Sequence, residues 1–122
     1  MAAKSKDVKK SQKESFFLHE VADLFLKIAL DDKMLHDFYV TRVELSPDGG
    51  LCTVFFHTPA GYASFEERKK HLILYKPSMR ASIAKASHAR YAPDLRFSYD
   101  EGIDKQNKIE DLFNRLKSEG KL

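Results

Sequence analysis

From Arg68 to Pro93 the chain carries seven cations and no acid: Arg68, Lys69, Lys70, Lys76, Arg80, Lys85 and Arg90, with His71 and His88 among them. Clustered charges of one sign release condensed counterions when they meet a polyphosphate. The chemistry this run can do is therefore phosphate binding. A second basic set lies at the start, where Lys4, Lys6, Lys9, Lys10 and Lys13 face one acid, Asp7. A lone charge run is usually a solvated helix face. Two such sets in one chain tilt the reading toward a polyanion.

Nothing comparable supports catalysis. His19, His36, His57, His71 and His88 are dispersed, and none has a histidine or cysteine partner three or four residues on. Zinc sites are built on such spacing, so the histidines read as structural or surface residues. Cys52 and His57 have opposite parity on a predicted strand and should face opposite ways. The one cysteine excludes an internal disulfide, and it reads as a core residue. Asp100, Glu101 and Asp104 form an acidic cluster that a helix start explains more simply than paired catalytic carboxylates. Phosphate-binding loops, dinucleotide fingerprints and nucleophile elbows are missing from the sequence. No enzyme activity and no cofactor are expected.

The elements that must position the cations follow from apolar spacing. The 122 residues, with a net charge of +3, fit one α+β domain. No apolar run reaches the 18 or so residues of a membrane span. Residues 1–13 hold little to bury and read as a flexible basic tail. Phe17, Val21, Leu24 and Ile28 recur at helical spacing over 14–30. Strands are predicted over 38–46, with Tyr39, Thr41, Val43 and Leu45 on one face, and over 51–58. Between them, Ser46-Pro47-Asp48-Gly49-Gly50 has the composition of a hairpin turn. Helices follow over 64–76, capped by Ser64, and 78–91, with a break at Pro77 and Lys76 pushed from helical angles. Met79, Ile83 and Ala86 can face the core. A strand spans 94–99 with Leu95, Phe97 and Tyr99 on one face. Asp104 caps a last helix whose Ile109, Leu112, Phe113 and Leu116 form an apolar stripe, and Gly120 stops it. The domain thus runs over 14–117, with 118–122 as a short tail.

This order, α-β-β-α-α-β-α with a three-stranded sheet and a kinked helix pair, resembles a single KH-like (type II) domain. Within it stand Val21-Ala22-Asp23, Val40-Thr41-Arg42-Val43-Glu44-Leu45-Ser46-Pro47-Asp48, and Ala92-Pro93-Asp94-Leu95-Arg96-Phe97-Ser98-Tyr99-Asp100-Glu101-Gly102-Ile103, continued by Ile109, Leu112 and Phe113. In this ordered set the chain resembles, more specifically, the bacterial ribosome-binding factor A family. The family's Ala-x-Gly kink reads Tyr75-Lys76-Pro77 here, and its Asp-Pro-Arg after the first helix reads Asp32-Lys33-Met34. Ser87, Ala89 and Tyr91 stand where relatives often carry leucine or a base.

The resemblance implies a cytoplasmic, non-catalytic assembly factor. Such factors bind 16S rRNA in the free small (30S) ribosomal subunit and assist a late step of rRNA maturation. They leave before translation, in some bacteria with a ribosome-associated GTPase. A monomer with no membrane partner is expected. Shape and backbone recognition would fall to Lys76, Arg80, Lys85, His88 and Arg90, with Lys9, Lys10 and Lys13 as an electrostatic arm. The alternative is a protein-binding adaptor whose basic helical face meets an acidic partner.

Overall fold

The computed structural model describes residues 2–87 and 92–120, with side chains from Lys10 onward. Helix α1 (Ala2–Asp31) lies against the sheet through Val21, Phe25, Ile28 and Ala29, all buried. Their spacing of three, four and seven residues puts them on one stripe. The helix starts at Ala2, so residues 2–13, expected as a tail, are helical backbone. The physical reason is the lack of any glycine or proline over 2–31 to stop it. It ends where Asp32 turns extended and accepts from the Met34 amide at 2.9 Å, capping a 3-10 turn at Lys33–Leu35.

Strands β1 (Tyr39–Leu45) and β2 (Leu51–His57) form the expected antiparallel hairpin. Its turn is closed by Asp48 Oδ1, which accepts from the Ser46 hydroxyl at 2.6 Å and the Gly50 amide at 3.0 Å. Gly49, at φ 75°, supplies the left-handed residue. The register slips between Val40 and Arg42, leaving Thr41 as a bulge. That slip reverses the expected phase at the strand's start. Val40 packs against the core, while Tyr39 pairs with His57 and is exposed.

The next two helices carry the crossover. Helix α2 (Tyr62–Leu74) starts two residues before Ser64, from Gly61 at φ 90°. Ser64 is therefore not the cap; its hydroxyl accepts from Arg68 Nη2 at 2.7 Å. Helix α3 (Lys76–Ser87) follows after one residue, Tyr75. The expected break is present but falls at Tyr75, two residues before Pro77, and Lys76 is helical. Pro77 occupies the first turn of α3, where its missing amide had no partner to lose. Met79 and Ile83 seat α3 on the core.

Strand β3 (Asp94–Tyr99) adds parallel to β2, giving the sheet order β1-β2-β3. A parallel pair needs a long crossover, which α2 and α3 provide. Cys52, Val54 and Phe56 of the central strand are fully buried, with Leu95 and Phe97 beside them. Helix α4 (Glu101–Ser118) is capped by Asp100, not Asp104, since the Asp100 carboxylate accepts from the Gly102 amide at 3.0 Å. The α4 stripe stays outside the core: Ile109 is 68% exposed, Leu112 47% and Phe113 56%. Gly120, at φ 74°, lies just past the helix.

Candidate nucleic-acid interface

A groove of about 260 Å³ between α2, the kink and β3 combines cations with apolar side chains. Lys69, Ile73 and Lys76 line one wall, and Leu51, Asp94, Leu95, Arg96 and Phe97 the other. Lys69 and Ile73 are four residues apart and share one stripe of α2. Arg96 lies between inward Leu95 and Phe97, so strand alternation sends it outward.

The cations beside the one acid, Asp94, are Lys76 and Arg80. Asp94 is tied to Lys76 Nζ at 3.2 Å and accepts from the Leu95 amide at 2.9 Å. The lysine bond and that amide hold its carboxyl below the usual value. This ion pair is partly exposed, so its net worth is small, and a phosphate can take the lysine from it. Apolar walls with a few polar groups at the rim suit a base, and the cations suit its phosphates.

The kink is held from behind. The Tyr75 hydroxyl donates to Asp32 Oδ2 at 2.8 Å, which fixes the end of α2 against the end of α1. That bond to a carboxylate pushes the phenol above its ordinary value, so Tyr75 stays a donor at neutral pH. Arg80 donates to the main-chain carbonyls of Pro93 at 3.2 Å and Ala92 at 3.3 Å. It fastens α3 to the start of β3 and leaves its charge beside Asp94, whose carboxyl it helps to lower.

The other expected cations are placed differently. Lys85 is exposed, but nine residues along α3 from Lys76 is half a turn round the helix, so the two do not share a face. His88 and Arg90 lie outside the described residues, as does the side chain of Lys9. Lys10 and Lys13 are exposed on α1, one turn and one residue, respectively, before Glu14, whose carboxylate accepts from the Leu45 amide at 2.8 Å. That bond puts them at the hairpin end of the sheet, the same end as the groove. Arg68, the first residue of the basic run, is already used. It grips Asp37 at 2.6 Å and 3.1 Å, holding that carboxyl below its usual value, and its guanidinium covers Phe38.

The sequence-based expectation omits Arg96 from the site and gives Lys69 no position in it. Both have a signal in the sequence: alternation along β3 for Arg96, and the spacing to Ile73 and Lys76 for Lys69.

The remaining polar cluster is structural. His57 Nε2 lies 2.9 Å from Asp104 Oδ1, and the Tyr99 hydroxyl donates to Asp104 Oδ2 at 2.6 Å. The pair ties the first turn of α4 to the ends of β2 and β3. Burial pushes the Cys52 thiol up to about 11, so it is not a nucleophile at neutral pH. Among the described residues no group of three or more His, Cys, Asp or Glu side chains could hold a metal ion, and no helix is long and apolar enough to cross a membrane.

Comparison with known proteins agrees with this architecture. The family model for ribosome-binding factor A matches residues 9–113. Ribosome-binding factor A of Rhodopseudomonas palustris (strain BisB18) is 35% identical over 96 residues, covering 77% of this chain and 69% of that protein. The crystal structure of ribosome-binding factor A from Thermus thermophilus superposes with a TM-score of 0.63 at 24% identity, over 74% of this chain and 94% of that one. A homology model of the Thermus thermophilus protein, fitted into the cryo-EM map of its complex with the 30S subunit, gives 0.58 at 23% identity, over 72% of this chain and 91% of that one. With a family match over nearly the whole chain and the same order of elements, the chain belongs to the ribosome-binding factor A family.

Proposed function

We propose that this chain is a ribosome assembly factor that binds the free small subunit and assists late 16S rRNA maturation without catalysis. The groove between α2, the kink and β3 carries the reading: Lys69, Lys76 and Arg96 line it beside Ile73, Leu95 and Phe97, and its one acid, Asp94, is paired with Lys76. Family membership supports it, as does the 30S complex formed by the Thermus thermophilus relative. In this reading the groove takes rRNA backbone and an unstacked base, and specificity comes from the folded RNA site. Arg80 lends charge while it holds β3 in place. Lys85, His88 and Arg90 make outer phosphate contacts, and Lys9, Lys10 and Lys13 act from the hairpin end. The factor acts in the cytoplasm and leaves before translation, with a ribosome-associated GTPase assisting release.

Co-sedimentation with separated small subunits, large subunits and whole ribosomes tests this, at about 50 and about 200 mM salt. Selective, salt-sensitive binding to free small subunits is expected. Equal binding to all particles would reduce it to nonspecific polyanion attraction. Retention on a partner that survives complete ribonuclease digestion of the RNA would favour the adaptor.

A further inference from the structure

The groove assigned to RNA holds one side chain that repels phosphate. Asp94 is the only acceptor among the side chains that line it; its neighbours there are apolar or, at Lys69, Lys76 and Arg96, donors. Its position is fixed. The Asp94 amide donates to the Gly50 carbonyl at 2.9 Å, and Asp94 Oδ1 accepts from both Lys76 Nζ at 3.2 Å and the Leu95 amide at 2.9 Å. These two donors occupy the lone pairs of Oδ1. Oδ2 has no hydrogen-bond partner among the described residues, and the side chain is 59% exposed. The Lys76 bond holds the carboxyl below its usual value, so Oδ2 accepts and does not donate at neutral pH.

Anchoring Lys76 accounts for Oδ1 and leaves Oδ2 unexplained. A phosphate gains nothing from it, since like charges repel. A base edge does gain. Cytosine and adenine each offer an exocyclic amine to an acceptor, whereas uracil presents a carbonyl where cytosine has its amine. Guanine carries two adjacent donors on its pairing edge and wants two acceptors, of which only one is free. Cytosine needs one. The two acceptor atoms beside its amine suit Lys69 and Arg96, neither of which forms an ion pair among the described residues. Adenine has only one acceptor there.

We propose that Asp94 is a specificity-determining residue of the groove, accepting at Oδ2 from the exocyclic amine of an unstacked cytosine and rejecting uracil. The proposal rests on the RNA reading of the groove given above.

The test titrates the full chain into fluorescein-labelled oligocytidylate and oligouridylate of about eight nucleotides, at about 50 mM salt, read by anisotropy. The two strands carry equal charge and differ in the base edge. Oligocytidylate should bind about tenfold tighter. Asp94→Asn can turn its oxygen to a cytosine amine or its amide N–H to a uracil carbonyl, so the ratio should fall to about twofold or less. A residue that only anchors Lys76 would move both affinities together and leave the ratio unchanged. Equal binding by the parent, a preference for oligouridylate, or a cytosine preference that survives Asp94→Asn overturns the assignment and leaves the groove as a phosphate site. Binding of neither strand, or binding that Lys69→Glu with Arg96→Glu leaves intact, removes the RNA reading of the groove and the assignment with it.

Discussion

Asp104→Ala removes one side chain and orphans two donors. The Tyr99 hydroxyl and His57 Nε2 both point at the Asp104 carboxylate, at 2.6 Å and 2.9 Å. Tyr99 has a fallback, the Thr58 carbonyl at 3.4 Å. His57 has none: its other ring nitrogen, Nδ1, is buried without a partner, so its N–H has no acceptor on either nitrogen. An unmet buried donor costs about 1–3 kcal/mol. The Asp104 side chain is 41% exposed, so water can enter the space it leaves and recover part of that. The expected loss is about 1–2 kcal/mol. Urea unfolding followed by tyrosine fluorescence measures it, since the chain has five tyrosines and no tryptophan. The midpoint should fall with the slope unchanged. His57→Phe then completes a double-mutant cycle. In that background Asp104→Ala should cost about 1 kcal/mol less, because one orphaned donor is already gone. A loss under about 0.5 kcal/mol in the parent, or strict additivity in the cycle, would refute the clasp.

The clasp and the Asp37–Arg68 pair also set the acid limit. Tyr99 and His57 hold the Asp104 carboxyl below its ordinary value, and Arg68 and Thr58 do the same for Asp37. Carboxyls depressed in the folded state contribute stability above their unfolded value and lose it as pH falls through the folded one. Urea midpoints should hold steady from neutral pH to about 5 and fall below about 4. Asp37→Asn should flatten part of that fall. Cys52, fully buried with its thiol raised to about 11, should resist a thiol reagent in the native protein and react at once in urea; fast native labelling would contradict its place in the core. Gly61→Ala forces a side chain to φ 90° and should lower stability by about 1 kcal/mol or more, read as a shift in thermal midpoint.

The order of elements is legible because each one carries a clean period, three to four residues in the helices and two in β3. Local misreadings have local causes. Ser64 and Asp104 are good cap residues by type, but Gly61 and Asp100 hold the cap positions, and the two displaced side chains serve Arg68 and the His57–Tyr99 pair instead. The bulge at Thr41 is not visible in an alternating pattern, so that pattern puts Tyr39 and Val40 on the wrong faces. The α4 stripe shows how amphipathicity marks a face without naming what covers it. The kink is readable from Pro77. The groove is not, because it joins α2 to β3, and the pairing of Leu51 with Asp94 that brings its walls together is a nonlocal fact. Arg68 shows the reverse error, a cation counted for phosphate that an acid thirty-one residues upstream already holds.

The most direct test of the account is the salt dependence of small-subunit binding for Lys69→Glu with Arg96→Glu. Both residues line the groove, and neither forms an ion pair among the described residues, so the fold should survive, as circular dichroism will show. If the groove holds rRNA, affinity drops sharply and the slope of log K against log salt shrinks by about 0.7–0.9 for each phosphate no longer neutralised. A folded double variant with the parent's affinity and slope would contradict the groove as the RNA site.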